Sequence, residues 1–155
     1  MIDEELIETW QIHNRIHLYL LDAIASETLN KLSASKGRDV GNQFAHVHNV
    51  RLMWLKSAAP ELLEGLMKIE KEQANDKSLL CESLQASGEA IAALLKKSLE
   101  TDGRIKGFKP HVTAFVGYLI SHESHHRGQI ALTLKQAGVP LDKKVSFGIW
   151  EWGVR

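Results

Sequence analysis

The sequence has one cysteine, Cys81, three prolines and no excess of either charge over 155 residues. A single cysteine excludes an intramolecular disulfide, and it also excludes a cysteine-based metal cluster within one chain. Any metal chemistry must therefore use histidine and oxygen ligands.

Acidic and basic side chains are balanced, with 19 lysines plus arginines against 19 aspartates plus glutamates. A binder of nucleic acid or of a membrane surface usually has a basic excess or a basic stripe, so we expect neither partner. No apolar run approaches membrane-spanning length. Three of the first five residues are acidic, unlike the start of a secretory signal, and these features together predict a cytoplasmic protein.

Apolar residues recur at helical spacing in four long segments, and no segment alternates in the way a strand does. A chain of this length forms one domain of ordinary size, here residues 1–155. The pattern predicts an all-α four-helix bundle with short extra helices or turns, one of them over Glu61–Lys71. The aromatic tail, Lys143–Arg155, is expected to pack across the bundle or against a second subunit. The four long segments run over about Asp3–Ala25, Val40 to just before Pro60, Lys77–Leu99, and Pro110–Ala137.

Three histidines fall within five positions of the last long segment, at His122, His125 and His126. Residues four apart on a helix are offset by about 40° around the axis and about 6 Å along it. His122 and His126 therefore face the same side and form half of a metal site, whereas His125 points elsewhere and is expected at the rim.

A third ligand must come from another helix, and the second segment offers His46 and His48. Helical periodicity slightly favours His48, because it lies on the more apolar face. Three neutral imidazoles would leave a coordination position open, as catalytic metal sites do.

Other polar residues have weaker predicted roles. Glu123 and Gln129 are candidate partners that orient the ligands, and Arg127 is a candidate for holding an anionic substrate. His13 and His17 are four apart on the first segment, and we interpret them as boundary residues hydrogen-bonded to neighbouring side chains.

The fragment His122-x-x-x-His126-Arg127-Gly128-Gln129, with Phe44-Ala45-His46 upstream and Trp54-Leu55 eight and nine residues beyond His46, resembles the DinB and YfiT-like superfamily. That superfamily consists of bacterial four-helix proteins with a metal-binding histidine triad. The resemblance implies a triad of His46, His122 and His126, and so favours His46 over His48.

The resemblance also implies an activity. Relatives include S-transferases that use low-molecular-weight thiols such as bacillithiol or mycothiol, so we expect a small-molecule substrate, with Arg127 and Gln129 near the cofactor or substrate. Zinc, nickel or iron would suit three histidines. Water is an alternative nucleophile to a thiol, which would make the protein a hydrolase. The competing hypothesis is a non-catalytic, metal-clamped bundle that acts by association, and a homodimer is expected.

Overall fold

The computed structural model describes residues 2–155, so residue 1 of the predicted domain lies outside the described residues. Within that range the chain forms five α-helices and no β-strand, and the predicted all-α bundle is confirmed. No helix among these residues is long and apolar enough to cross a membrane. The helices are α1 (Ile2–Ala23), α2 (Val40–Ala58), α3 (Lys77–Leu99), α4 (Val112–Gln136) and the short α5 (Lys143–Gly148).

Side-chain caps set the first residues of three of the long helices. Asp39, Asp76 and His111 precede α2, α3 and α4, and each side chain accepts a backbone N–H from three residues further on, at 2.8, 3.1 and 3.2 Å. Such a cap satisfies one of the N–H groups that the first helical turn leaves without a partner. Pro110 therefore lies outside α4, which begins at Val112, two residues after the start of the predicted segment.

The predicted helix over Glu61–Lys71 is also wrong. That segment contains two short 3-10 turns, Pro60–Leu63 and Lys71–Gln73, with non-helical chain between them. Gly65, at φ 77°, ends the helical path, because a right-handed helix requires negative φ. The Asn49 side chain then binds both the N–H and the carbonyl of Ile69, at 2.9 and 3.0 Å, and holds the segment in an extended form.

In the four-helix bundle, α1 and α2 lie at diagonally opposite corners, and each packs against both α3 and α4. The seam between α2 and α4 brings the histidines of the second and fourth sequence segments together.

Polar side chains divide the core into two apolar clusters. One cluster contains Leu20, Phe44 and Ile130, and the other contains Trp10 and Phe115. Between them, at the middle of the bundle, lies a layer of fully buried polar side chains: His13, His17, Arg51, Ser87 and Glu123. Because each buried polar group needs a partner, this layer restricts how the four helices can be aligned.

The helices α1 and α3 approach closely at Gly88. A β-carbon placed there would lie 2.3 Å from Nδ2 of Asn14, so any larger residue would force the Asn14 side chain to move. The indole N–H of Trp10 donates to the Gly88 carbonyl at 2.9 Å and joins the two helices at the same point.

The C-terminal tail packs only in part. The Arg155 guanidinium lies 3.7 Å from the centre of the Tyr19 ring, which holds the end of the chain against α1. Phe147 and Trp150 are 70% and 75% exposed. These two aromatic side chains therefore do not pack across the bundle, and for them the other alternative, packing against a second subunit, stays a prediction.

Candidate metal centre

Three histidines meet at the seam between α2 and α4. The ring centre of His46 lies 4.5 Å from that of His126 and 5.3 Å from that of His122, and the centres of His122 and His126 are 4.7 Å apart. One ring nitrogen from each residue lies within 4.8 Å of the others. The structure therefore brings together the three histidines of the predicted triad.

Gln43 determines which nitrogen of His126 is free. The Gln43 Oε1 atom lies 2.6 Å from Nδ1 of His126, and an amide oxygen can only accept, so Nδ1 carries the proton. Nε2 is then left with its lone pair available for a metal ion. Gln43 is not among the residues predicted from the sequence, although its position three residues before His46 places both on the same face of α2.

The distance between ligand atoms suits a single ion. The Nε2 atoms of His122 and His126 are 3.2 Å apart. Two nitrogens bound at about 2.0–2.1 Å to a tetrahedral ion are separated by roughly 3.3 Å. The two histidines of α4 already have nearly this spacing.

The protonation of the triad also favours metal binding. Burial lowers the pKa of His46 and of His122, and it lowers that of His126 to about 4. The positive charge of Arg38 lowers the pKa of all three further. The rings are therefore neutral at pH 7, as metal ligands must be.

The site is closed on one side and open on the other. His126 is 6% exposed, whereas His46 and His122 are partly exposed. Small molecules can therefore reach the rings from solvent.

A second histidine group lies deeper in the bundle. The Nε2 atoms of His13 and His17 are 3.1 and 3.2 Å from Oε1 of Glu123, and all three residues are completely buried. The interpretation of His13 and His17 as boundary residues is wrong, because they belong to the core. Glu123 faces them rather than orienting the triad, so its predicted role beside His122 and His126 is wrong as well.

Arg51 supplies the cation of this deeper group. Its Nη2 and Nε donate to the two oxygens of Glu123 at 2.6 and 2.9 Å, and its Nη1 donates to the Leu84 carbonyl at 3.0 Å. Although burial by itself would raise the pKa of Glu123, Arg51 and the two histidines hold it well below the usual range. A metal ion here would be repelled by a guanidinium already bound to the carboxylate. Of the two groups, the triad is the better candidate.

The other histidines have separate partners. Nε2 of His48 lies 2.8 Å from the Met67 carbonyl, and this residue is 1% exposed. His48 is thus a core residue, and the apolar surroundings that favoured it reflect packing rather than a metal site. His125 is exposed and accepts a hydrogen bond from the Gln129 amide at 3.0 Å, which agrees with its predicted rim position.

The two residues predicted to hold a cofactor or substrate lie in different places. Arg127 is 8% exposed, its Nη2 donates to Ser124 Oγ at 3.1 Å, and its charge acts on His13 and His17 of α1. Gln129 is partly exposed and lines a polar cavity beside the triad. Their roles stay predictions, and the position of Gln129 suits its role better than that of Arg127.

Comparison with known proteins adds one positive finding. No curated protein and no solved structure matches the chain. The DinB family model, however, matches residues 1–143, which is nearly the whole sequence. With its helical bundle and its histidines at the seam of α2 and α4, the chain belongs to the DinB family.

Proposed function

We propose that this DinB-family chain binds one divalent transition-metal ion through His46, His122 and His126 and is a metal-dependent enzyme acting on a small molecule, most simply a thiol S-transferase. The observation that carries the proposal is the 3.2 Å separation of the His122 and His126 Nε2 atoms, with Nδ1 of His126 already occupied by Gln43. When bound, a divalent ion supplies Lewis acidity that lowers the pKa of a coordinated thiol or water.

The residues of the chain hold and shape the site. His122 and His126 belong to one helix, so their spacing is fixed by helix geometry, and α2 supplies His46 together with Gln43. The buried Arg51–Glu123 pair joins the same two helices one layer deeper. Rigid elements therefore position the ligands before any ion binds, which reduces the entropic cost of binding.

Partial exposure of His46 and His122 favours an enzyme over a purely structural clamp. Structural sites are usually closed by four protein ligands, whereas three ligands with an approach from solvent suit exchange of a substrate. A thiol is the preferred nucleophile because of the family resemblance, and water is the alternative.

The second candidate is a non-catalytic bundle that acts as a homodimer. The exposed Phe147 and Trp150 of the C-terminal tail favour it, since large apolar side chains in solvent often mark an interface. Dimerisation is also compatible with the enzyme, so only activity separates the two candidates.

The test is elemental analysis of the untagged protein, purified without added metal or chelator, beside the His122→Ala and His125→Ala variants. We expect about one ion of zinc, nickel or iron per chain in the wild type and in His125→Ala, and loss of that ion in His122→Ala. Equal metal content in all three proteins would contradict the triad.

A screen of thiols against electrophiles then tests catalysis on the loaded protein. Turnover that is lost in His122→Ala supports the enzyme. A loaded protein without turnover of any thiol or of hydrolysable substrates supports the metal-clamped bundle instead.

A further inference from the structure

A polar cavity of about 300 Å³ lies next to the triad, between the 33–38 loop and the second half of α4. Lys36 and Arg38 line it from the loop, and Gln129 and Thr133 line it from α4. Gln43 connects the cavity to the triad, because it lines the cavity and also accepts the hydrogen bond of His126. The cavity therefore adjoins the candidate metal centre through Gln43.

The charge of this cavity has one sign. Two cationic side chains line it and no aspartate or glutamate does. Within residues 2–155, neither Lys36 nor Arg38 has an ion pair or a side-chain hydrogen bond. The nearest carboxylate in sequence, that of Asp39, is engaged by the backbone N–H and the side-chain amide of Asn42, at 2.8 and 2.9 Å.

Arg38 shares this cavity with Gln43, the residue that orients His126. An arginine beside a metal centre weakens the binding of a metal cation, because like charges repel. A bound anion between the arginine and the ion would offset that repulsion.

The loop that carries the two cations is held in place. The N–H of Ala34 donates to Oε1 of Gln136 at 3.0 Å, which attaches the loop to α4. Lys36, at φ 64°, adopts the left-handed conformation that costs a side-chain-bearing residue energy, and Gly37 follows at φ 97°. Ser33 Oγ donates to the Lys36 carbonyl at 3.0 Å and stabilises this turn.

We infer that the small-molecule substrate carries an anionic group, a carboxylate or a phosphate, which binds to Arg38 and Lys36 in this cavity while its reacting group faces His46 and His122. The inference rests on the proposed function for the role of the metal. It replaces Arg127 by Arg38 as the anion-binding arginine, since Arg127 is 8% exposed, donates to Ser124 and does not line this cavity. A planar guanidinium suits either anion, because it donates two parallel hydrogen bonds.

The experiment compares two thiols of the same shape on the cobalt-loaded protein: 3-mercaptopropionate and the neutral 3-mercaptopropionamide. Binding is followed by the sulfur-to-cobalt charge-transfer absorption and, independently of the metal, by amide shifts of residues 33–38 and 129–136 in NMR spectra. The variants are Arg38→Gln, Lys36→Gln and, as a matched control, Lys135→Gln, which removes an exposed cation of α4 outside this cavity.

We expect the carboxylate to bind about tenfold more tightly than the amide, as one or two charge-assisted hydrogen bonds allow. The preference should disappear in Arg38→Gln, weaken in Lys36→Gln and persist in Lys135→Gln. Replacing the carboxylate by 2-mercaptoethyl phosphate tells which of the two anions the cavity prefers.

Two results would overturn the inference while leaving the metal site intact: equal affinity for the two thiols, or no binding of the carboxylate, on a protein that holds cobalt. If the protein binds no cobalt, the proposed function fails, and the NMR titration still decides the anion site. Shifts of residues 33–38 with the carboxylate, absent in Arg38→Gln, support the site, and their absence in the wild type overturns it.

Discussion

The side-chain oxygen of Gln43 lies 2.6 Å from Nδ1 of His126, so α2 contributes both a candidate ligand, His46, and the group that orients a ligand of α4. Such a partner keeps the imidazole in one tautomer and one orientation. The geometry of the triad therefore depends on the seam of α2 and α4 as much as on the histidines.

Removing this oxygen is expected to weaken metal binding without removing a ligand. Gln43→Leu should lower the affinity for zinc about 10–100-fold, the usual effect of losing a group that orients a ligand. Gln43→Glu keeps an acceptor at the same position and is the matched control. Competition with a chromogenic chelator measures both, and an unchanged affinity in Gln43→Leu would show that His126 needs no orienting partner.

The choice between the two histidines of α2 gives a second prediction. His46→Ala should abolish stoichiometric metal binding, because its ring lies 4.5 Å from that of His126. His48→Ala should keep the metal and lose stability, since it removes a buried ring and its 2.8 Å hydrogen bond to Met67. Metal content and urea unfolding of the two variants distinguish the roles, and the reverse pattern would make His48 the ligand.

The buried Arg51–Glu123 pair gives a third prediction. Arg51→Met should lower the free energy of unfolding by about 3–5 kcal/mol, because it leaves Glu123 charged and unpaired in the core. The double variant Arg51→Met, Glu123→Gln should recover part of this loss, since the unpaired charge is gone. Urea unfolding measures both proteins, and a loss below about 1 kcal/mol for Arg51→Met would mean that His13 and His17 suffice to hold the carboxylate.

Stability should fall in mild acid because of His17. Burial lowers the pKa of His17 from 6.5 in the unfolded chain to about 3 in the folded protein. Above pH 6.5 the ring is neutral in both states, but between pH 6.5 and 3 only the unfolded chain binds the proton. The free energy of unfolding should then drop by about 1.4 kcal/mol per pH unit for this group.

Glu123 adds to the loss in stronger acid. Its pKa is depressed in the fold, so its contribution is present above the ordinary value of 4.5 and is lost as pH falls further. Chemical unfolding at pH 7, 6 and 5 isolates the histidine contribution. His17→Leu should reduce the slope by the contribution of this one group, and the remaining slope comes from the other histidines whose pKa burial lowers, such as His126. An unchanged slope in His17→Leu would show that His17 does not cause the loss of stability.

Two helical glycines give a matched pair of substitutions. Gly88→Ala places a methyl group 2.3 Å from Asn14 and should destabilise by about 1–3 kcal/mol, whereas Gly117→Ala meets nothing within 4 Å. Gly117→Ala should raise stability by about 0.5–1 kcal/mol, because alanine loses less entropy in a helix. Thermal unfolding compares the two, and equal effects would argue against the close approach of α1 and α3.

The sequence by itself determined the parts of this protein that depend on local geometry. Apolar spacing predicted the four long helices, and the four-residue spacing of His122 and His126 placed both rings on one face of α4. These relations lie within one helix, whose period of 3.6 residues is the same in any protein.

The tertiary structure decided everything that involves two helices. His46 and His48 point to different sides of α2, and only the rotation of that helix in the bundle puts His46 beside His126. The pairing of Arg51 with Glu123 across 72 residues, and the hydrogen bond from His126 to Gln43, arise in the same way. Helix periodicity determines which side chains share a face of each helix. Which faces meet depends on how the whole core packs, and no local sequence pattern predicts that packing.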